Sequence, residues 1–147
     1  MSENKVSYAG QVVVITGAAR GIGAATARLV AERGGKVFAL DIARDGLTSL
    51  QKELSLPDNQ VAVIDLGSQT SVKENIDAIY KIAGRIDALI NTAGVVGPTN
   101  VKVEDVKWGD FESTVRINLF GTVWLTQAVV PYMKKAKYGR IAHVASI

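Results

Sequence analysis

Three glycines crowd the stretch Thr16-Gly17-Ala18-Ala19-Arg20-Gly21-Ile22-Gly23, directly after the apolar run Gln11–Thr16. A pyrophosphate can sit against a helix N-terminus, where backbone N–H groups point at the anion and any Cβ would hold it off. Gly17 can supply the tight turn, Gly21 a close approach, and Gly23 close packing of helix on strand; Arg20 and Ile22 flank Gly21 in the same turn. The spacing is G-x-x-x-G-x-G rather than G-x-G-x-x-G, and no Gly-Lys-Ser/Thr follows, as a P-loop would need. Asp41 ends the next apolar run, where dinucleotide folds place an acid for the ribose hydroxyls. The same charge would repel a 2′-phosphate, which points to NAD. Arg20 could pair with such a phosphate and keeps NADP as the lesser alternative. The plain alternative is structural, with turn-forming glycines and an aspartate opening the next helix. At the far end, Ser146 stands just past the run Arg140–Val144, a common place for chemistry in α/β proteins.

Composition removes other chemistries. The chain has 147 residues, enough for one domain, and no cysteine, so disulfides, thiolate nucleophiles and cysteine metal sites are excluded. A lone histidine, His143, cannot form a histidine metal cluster, and no metal is expected. His143 reads as a packed, hydrogen-bonded strand residue. The net charge of +3 is scattered. Its densest group, Lys134, Lys135, Lys137 and Arg140, follows a helical pattern where cations complement the helix C-terminus. No aromatic residues interleave there to stack bases, so no nucleic-acid partner is expected. The longest uncharged stretch, Ile117 to Met133, falls short of the roughly 20 apolar residues of a membrane span. The polar start MSENKVSYAG has no signal-peptide core, and the expectation is a cytoplasmic protein away from membranes.

These residues need a scaffold, and strand and helix patterns alternate along the whole chain. The apolar run Gln11–Thr16 is typical of a parallel strand buried on both faces, and Lys36–Asp41, Val61–Asp65, Ala88–Asn91 and Arg140–Val144 read as four further strands. Between them, Gly21–Arg33 reads as a helix with Ile22, Ala25 and Leu29 on one face, ended by Gly34-Gly35. A short helix spans about Leu47–Leu54, before the turn Pro57-Asp58-Asn59. In the next, Val72, Ile76, Ile79 and Ala83 face inward and Lys73, Asp77 and Lys81 point away; Ser71 with Glu74, or else Ser68, caps it. A Gly/Pro loop, Gly94 to Thr99, leads to a long helix from about Phe111 to Lys135. The expected fold is α/β, a doubly wound parallel sheet of Rossmann type in a single domain. The long helix is apolar nearly all round, and Phe120 and Trp124 need cover, which predicts a homo-oligomer through this helix.

With these motifs in order, the chain resembles the short-chain dehydrogenase/reductase family. TGAARGIG has the T-G-x-x-x-G-x-G spacing of that family. Asp65-Leu66 match its adenine-contacting Asp-Leu/Val pair, and Asn91-Thr92-Ala93-Gly94 its N-N/T-A-G motif beside the cofactor. Asn118 matches its helical catalytic asparagine, and Ser146 its substrate-orienting serine. The resemblance implies hydride transfer between NAD(H) and an alcohol or ketone substrate. It also implies a Tyr-x-x-x-Lys pair, in which the lysine lowers the tyrosine pKa from about 10. Four residues beyond Tyr8, Tyr80, Tyr132 and Tyr138 lie Val12, Gly84, Ala136 and Ala142, none of them lysine. The expectation is therefore the N-terminal, cofactor-binding half of a longer enzyme, incomplete after the fifth strand and inactive alone. A non-catalytic NAD-binding module is the alternative, and a nucleotide-fold methyltransferase a more distant one. Only Val95–Thr99 bears on the substrate, as a partly apolar wall.

Overall fold

The computed structural model describes residues 6–145. Five strands form one parallel sheet: β1 (Val12–Thr16), β2 (Lys36–Asp41), β3 (Val61–Val63), β4 (Ala88–Asn91) and β5 (Arg140–His143), in the order β3-β2-β1-β4-β5. The helices are α1 (Gly21–Glu32), α2 (Arg44–Leu54), α3 (Gln69–Ala83), α4 (Trp108–Val115) and α5 (Gly121–Ala136).

Alternation along the strands explains the layering. Val12 and Val14 of β1, with Phe38 and Leu40 of β2, pack on Val72, Ile76 and Ile79 of α3 and on Leu125, Val129 and Met133 of α5. Val13 and Ile15, with Val37 and Ala39, pack on Ala24, Ala27 and Val30 of α1 and on Leu47 and Leu50 of α2. Odd and even strand residues thus enter two cores on opposite faces, as period-2 geometry requires. This is the doubly wound α/β sheet that the alternating pattern predicts. Asp87, 1% exposed, ties the lower sheet end by accepting from Val12 N–H at 2.8 Å while paired with Arg85.

Several boundaries move. The third strand stops at Val63, not Asp65, so Asp65 and Leu66 lie beyond the strand end. The second helix starts at Arg44, three residues before Leu47. The cap of α3 is Ser68, whose Oγ accepts from Ser71 N–H at 3.2 Å; Ser71 instead accepts from Asp65 N–H. The face read for α1 is wrong: Ile22 is 62% and Leu29 40% exposed. The buried stripe is Gly23, Ala24, Ala27 and Val30, because a helix lying close to the sheet needs small residues beneath it. Asp77 does not point away either; it receives the Tyr132 hydroxyl of α5 at 2.7 Å, below a 4.0 Å stack of Tyr80 on Tyr132.

The single long helix expected over 111–135 is three pieces. It begins at Trp108, widens into a π-helical segment at Arg116–Phe120, and continues as α5. π-bulges often mark sites where a helix re-aims a side chain, and this one holds Asn118.

Candidate cofactor and substrate cleft

The cleft opens above the C-terminal ends of β1 and β4, where the chain leaves the sheet centre in opposite directions; open α/β sheets bind ligands at such a point. It holds about 450 Å³ and is lined by Gly17, Arg20, Gly21, Ile22, Gly23, Asp41, Ile42, Ile64, Asp65, Leu66, Thr92, Ala93, Gly94, Val95 and Ile117. Ten of the thirteen residues singled out from the sequence thus meet in one cavity.

The glycines divide their labour by geometry. Gly17 turns with φ +74°, and a Cβ there would come within 2.7 Å of Ala93 N and Thr92 Oγ1. A Cβ on Gly23 would overlap the Gly17 carbonyl, so this glycine lets α1 close onto the turn. Gly21 differs: it has φ +55°, and nothing lies within 4 Å of where a Cβ would stand. The space before Gly21 belongs to the cleft. The first helical bond of α1 runs from Ala24 N–H to Arg20 O, so the earlier N–H groups have no acceptor within the helix. Arg20 occupies the N-cap in extended backbone, exposed and without a side-chain cap bond.

Asp41 faces this turn. Its Oδ2 accepts from Ala19 N–H at 3.0 Å and its Oδ1 from Ala43 N–H at 2.9 Å, which fixes the carboxylate between the glycine turn and the loop after β2. Asp65 accepts from Gly67 N–H at 2.8 Å, an Asx turn that aims the post-strand segment at the cleft. Asn91 lies beneath the cleft, 2% exposed. Its Oδ1 accepts from Thr16 Oγ1 at 2.5 Å and its Nδ2 donates to Thr122 Oγ1 at 3.1 Å, locking β1, β4 and α5 together. Thr92 adds a bond to the Thr16 carbonyl at 2.8 Å.

Asn118 lines a second cavity, of about 430 Å³, with Thr92 to Val96, Thr122 and His143 to Ala145. It is exposed rather than buried, yet both ends of its amide are used: Oδ1 accepts from Val95 N–H at 2.9 Å and Nδ2 donates to Val95 O at 2.8 Å. Its side chain therefore pins the loop after β4. His143 meets Thr126 Oγ1 at 3.0 Å, and burial pushes its pKa below the usual imidazole value; it is hydrogen-bonded as expected, but on an exposed strand. Ser146 lies outside the described residues. Sequence reasoning missed Ile42, Ile64, Ile117 and Thr122. Ile42, 65% exposed immediately after Asp41, carried a signal: a strand-end isoleucine with no core to enter. Among the described residues no group of acidic, histidine or cysteine side chains could hold a metal, and no helix is long and apolar enough to cross a membrane.

A family model for short chain dehydrogenases matches residues 11–147. The chain is 38% identical over 140 residues to a 3-oxoacyl-[acyl-carrier-protein] reductase of Thermotoga maritima, covering 94% of this chain and 56% of that protein. It is 35% identical over 145 residues to a 7alpha-hydroxysteroid dehydrogenase of Bacteroides fragilis, covering 95% and 55%. The crystal structure of a metagenomic short-chain oxidoreductase in complex with NADP superposes with a TM-score of 0.89 at 29% identity, over 97% of this chain and 65% of the other. The chain spans about half the length of the curated relatives it matches. With its parallel sheet, its glycine turn and a family match over nearly its whole length, the chain belongs to the short-chain dehydrogenase family, a family of oxidoreductases.

Proposed function

We propose that this chain binds NAD(H) in the glycine-turn cleft and serves hydride transfer between it and an alcohol or ketone. The observation that carries the reading is the pairing of the open face at Gly21 with the fixed carboxylate of Asp41 in one cavity. The residues fit a dinucleotide: unpaired N–H groups at the start of α1 suit a pyrophosphate, and Ile42, Ile64 and Leu66 offer apolar surface to a flat base. The Asp41 carboxylate suits ribose hydroxyls and opposes a 2′-phosphate. That favours NAD, even though one solved relative holds NADP.

When bound, the cofactor supplies a nicotinamide carbon that gives a hydride to a carbonyl carbon, or takes one from an alcohol. In this reading Asn91 and Thr16 hold the strand ends beneath the ring, and Asn118 holds the Val95 loop at the substrate side. Ser146 hydrogen-bonds the substrate oxygen, a role carried over from the family resemblance. The proton for that oxygen needs a tyrosine beside a lysine, and no tyrosine in the sequence has lysine four residues on. Tyr132 cannot substitute: its bond to Asp77 pushes its pKa up, the wrong direction for a base.

Titrating NADH and NADPH by fluorescence, with turnover of a ketone panel in parallel, tests the reading. NADH is expected to bind at least tenfold more tightly than NADPH, without turnover by the 147-residue chain. Asp41→Asn removes the charge and is expected to narrow that preference about tenfold. A preference for NADPH in the unaltered chain overturns the NAD assignment, and robust turnover overturns the missing-base argument. We also propose that a second copy of the chain covers the exposed apolar residues of α4, the π-helical segment and α5.

A further inference from the structure

The second cavity shares Thr92, Ala93, Gly94 and Val95 with the glycine-turn cleft, so a molecule held there abuts whatever the cleft holds. Most of its polar side-chain groups are already engaged within the protein, the His143 Nδ1 excepted. The Thr92 hydroxyl donates to Thr16 O, the Asn118 amide is used at both ends by Val95, and the Thr122 hydroxyl donates to Asn118 O at 2.8 Å. His143 Nε2 is paired with Thr126 Oγ1. Among the described residues no lysine, arginine, aspartate or glutamate lines this cavity. Besides the His143 Nδ1, the surface offered to a ligand is mainly apolar: Val95 is 42%, Val96 85% and Val144 48% exposed, in the segments that follow β4 and β5.

We propose that this cavity selects neutral, apolar ketones and alcohols, with Val95, Val96 and Val144 as the selecting wall. The proposal rests on the reading of the adjoining cleft as a nicotinamide dinucleotide site. An alkyl chain gains by leaving water against these valines. A carboxylate or phosphate would give up its hydration with no lysine or arginine among the described lining residues to replace it, and would be rejected by that missing partner as much as by the valines. Keto acids and phosphorylated sugars are therefore disfavoured.

Calorimetric titration of 2-hexanone and of 2-oxohexanoate into the full chain saturated with NADH tests this. The probes differ only in a methyl group replaced by a carboxylate. 2-Hexanone is expected to bind at least tenfold more tightly, and 2-octanone more tightly still. Val96→Asp, at an exposed position outside the glycine-turn cleft, is expected to weaken ketone binding at least fivefold while the NADH titration stays unchanged. Equal or inverted affinities overturn the proposal, as does an unaltered ketone affinity in Val96→Asp. So does an absence of ketone binding to a complex that does take up NADH; in each of these cases the dinucleotide reading stands. A chain that takes up no NADH overturns the dinucleotide reading and this proposal with it.

Discussion

Gly21 and Gly23 are two residues apart, yet a Cβ would enter open cleft at the first and the Gly17 carbonyl at the second. Their alanine variants should therefore fail in different ways. Gly21→Ala must keep φ +55° with a side chain, a cost of roughly 1–2 kcal/mol. It should fold, with a modestly lowered melting temperature, and lose at least tenfold in NADH affinity because its methyl occupies the space before the helix N-terminus. Gly23→Ala forces backbone apart inside a packed turn, and overpacking of this kind typically costs about 1–3 kcal/mol. Its main effect should be thermal destabilisation. Circular-dichroism melts beside NADH titrations separate the two. A Gly21→Ala chain with unchanged NADH affinity would remove Gly21 from the binding surface.

The contact between α3 and α5 has its own pH window. Lys73 and the Tyr132 hydroxyl both bond to Asp77 and hold its carboxyl below the usual aspartate range, while the same bond pushes Tyr132 up. A lowered carboxylate pKa contributes stability that is present above the unfolded value, about 3.9, and lost as pH falls through the folded one. A raised tyrosine pKa contributes stability present below about 10 and lost as pH rises through its folded value. The packing should thus be strongest between these limits. Tyr132→Phe keeps the stack on Tyr80 and removes the hydrogen bond, at an expected cost of about 1 kcal/mol or less, since Asp77 is partly exposed. Melting temperature against pH should flatten at both ends in this variant. A profile identical to that of the unaltered chain would show that the pair contributes nothing.

Across the described residues, one flank of the molecule is exposed and partly apolar. All four residues of β5 are exposed, and Phe111, Leu119, Phe120 and Val123 are 49%, 56%, 41% and 46% exposed along one helical run. This is the surface that the proposed second copy would cover, since large exposed apolar patches are common at interfaces. Another cavity, about 670 Å³ and lined by Trp124, Ala128, Pro131 and Tyr132 with Lys73 and Asp77, follows the same run on its α3 side. It shares no lining residue with the glycine-turn cleft. Sedimentation should show concentration-dependent self-association, and Phe120→Arg should weaken it at least tenfold while NADH affinity holds. A chain that stays monomeric at every accessible concentration would rule out the second copy.

What the sequence determined by itself was whatever depends on local backbone need. A strand that must turn sharply into a helix declares itself by glycine spacing, and buried parallel strands by unbroken apolar runs. Gly17, Gly21, Gly23 and Asp41 were legible in this way, and so was the doubly wound sheet, whereas Asp65 and Ala93 were singled out through the family resemblance. The tertiary structure decided what depends on partners distant along the chain. It made Gly17 a packing position against Thr92 and Ala93 as well as a turn. It gave the sheet-facing side of α1 to alanines rather than to Ile22 and Leu29, because closeness to the sheet outweighs hydrophobicity there. It also spent the Asn118 amide on Val95, in a π-helical segment that no periodicity announces. Hydrogen bonds spanning 22 to 76 residues leave no local pattern to read, because each partner is an ordinary residue until the fold brings the two together.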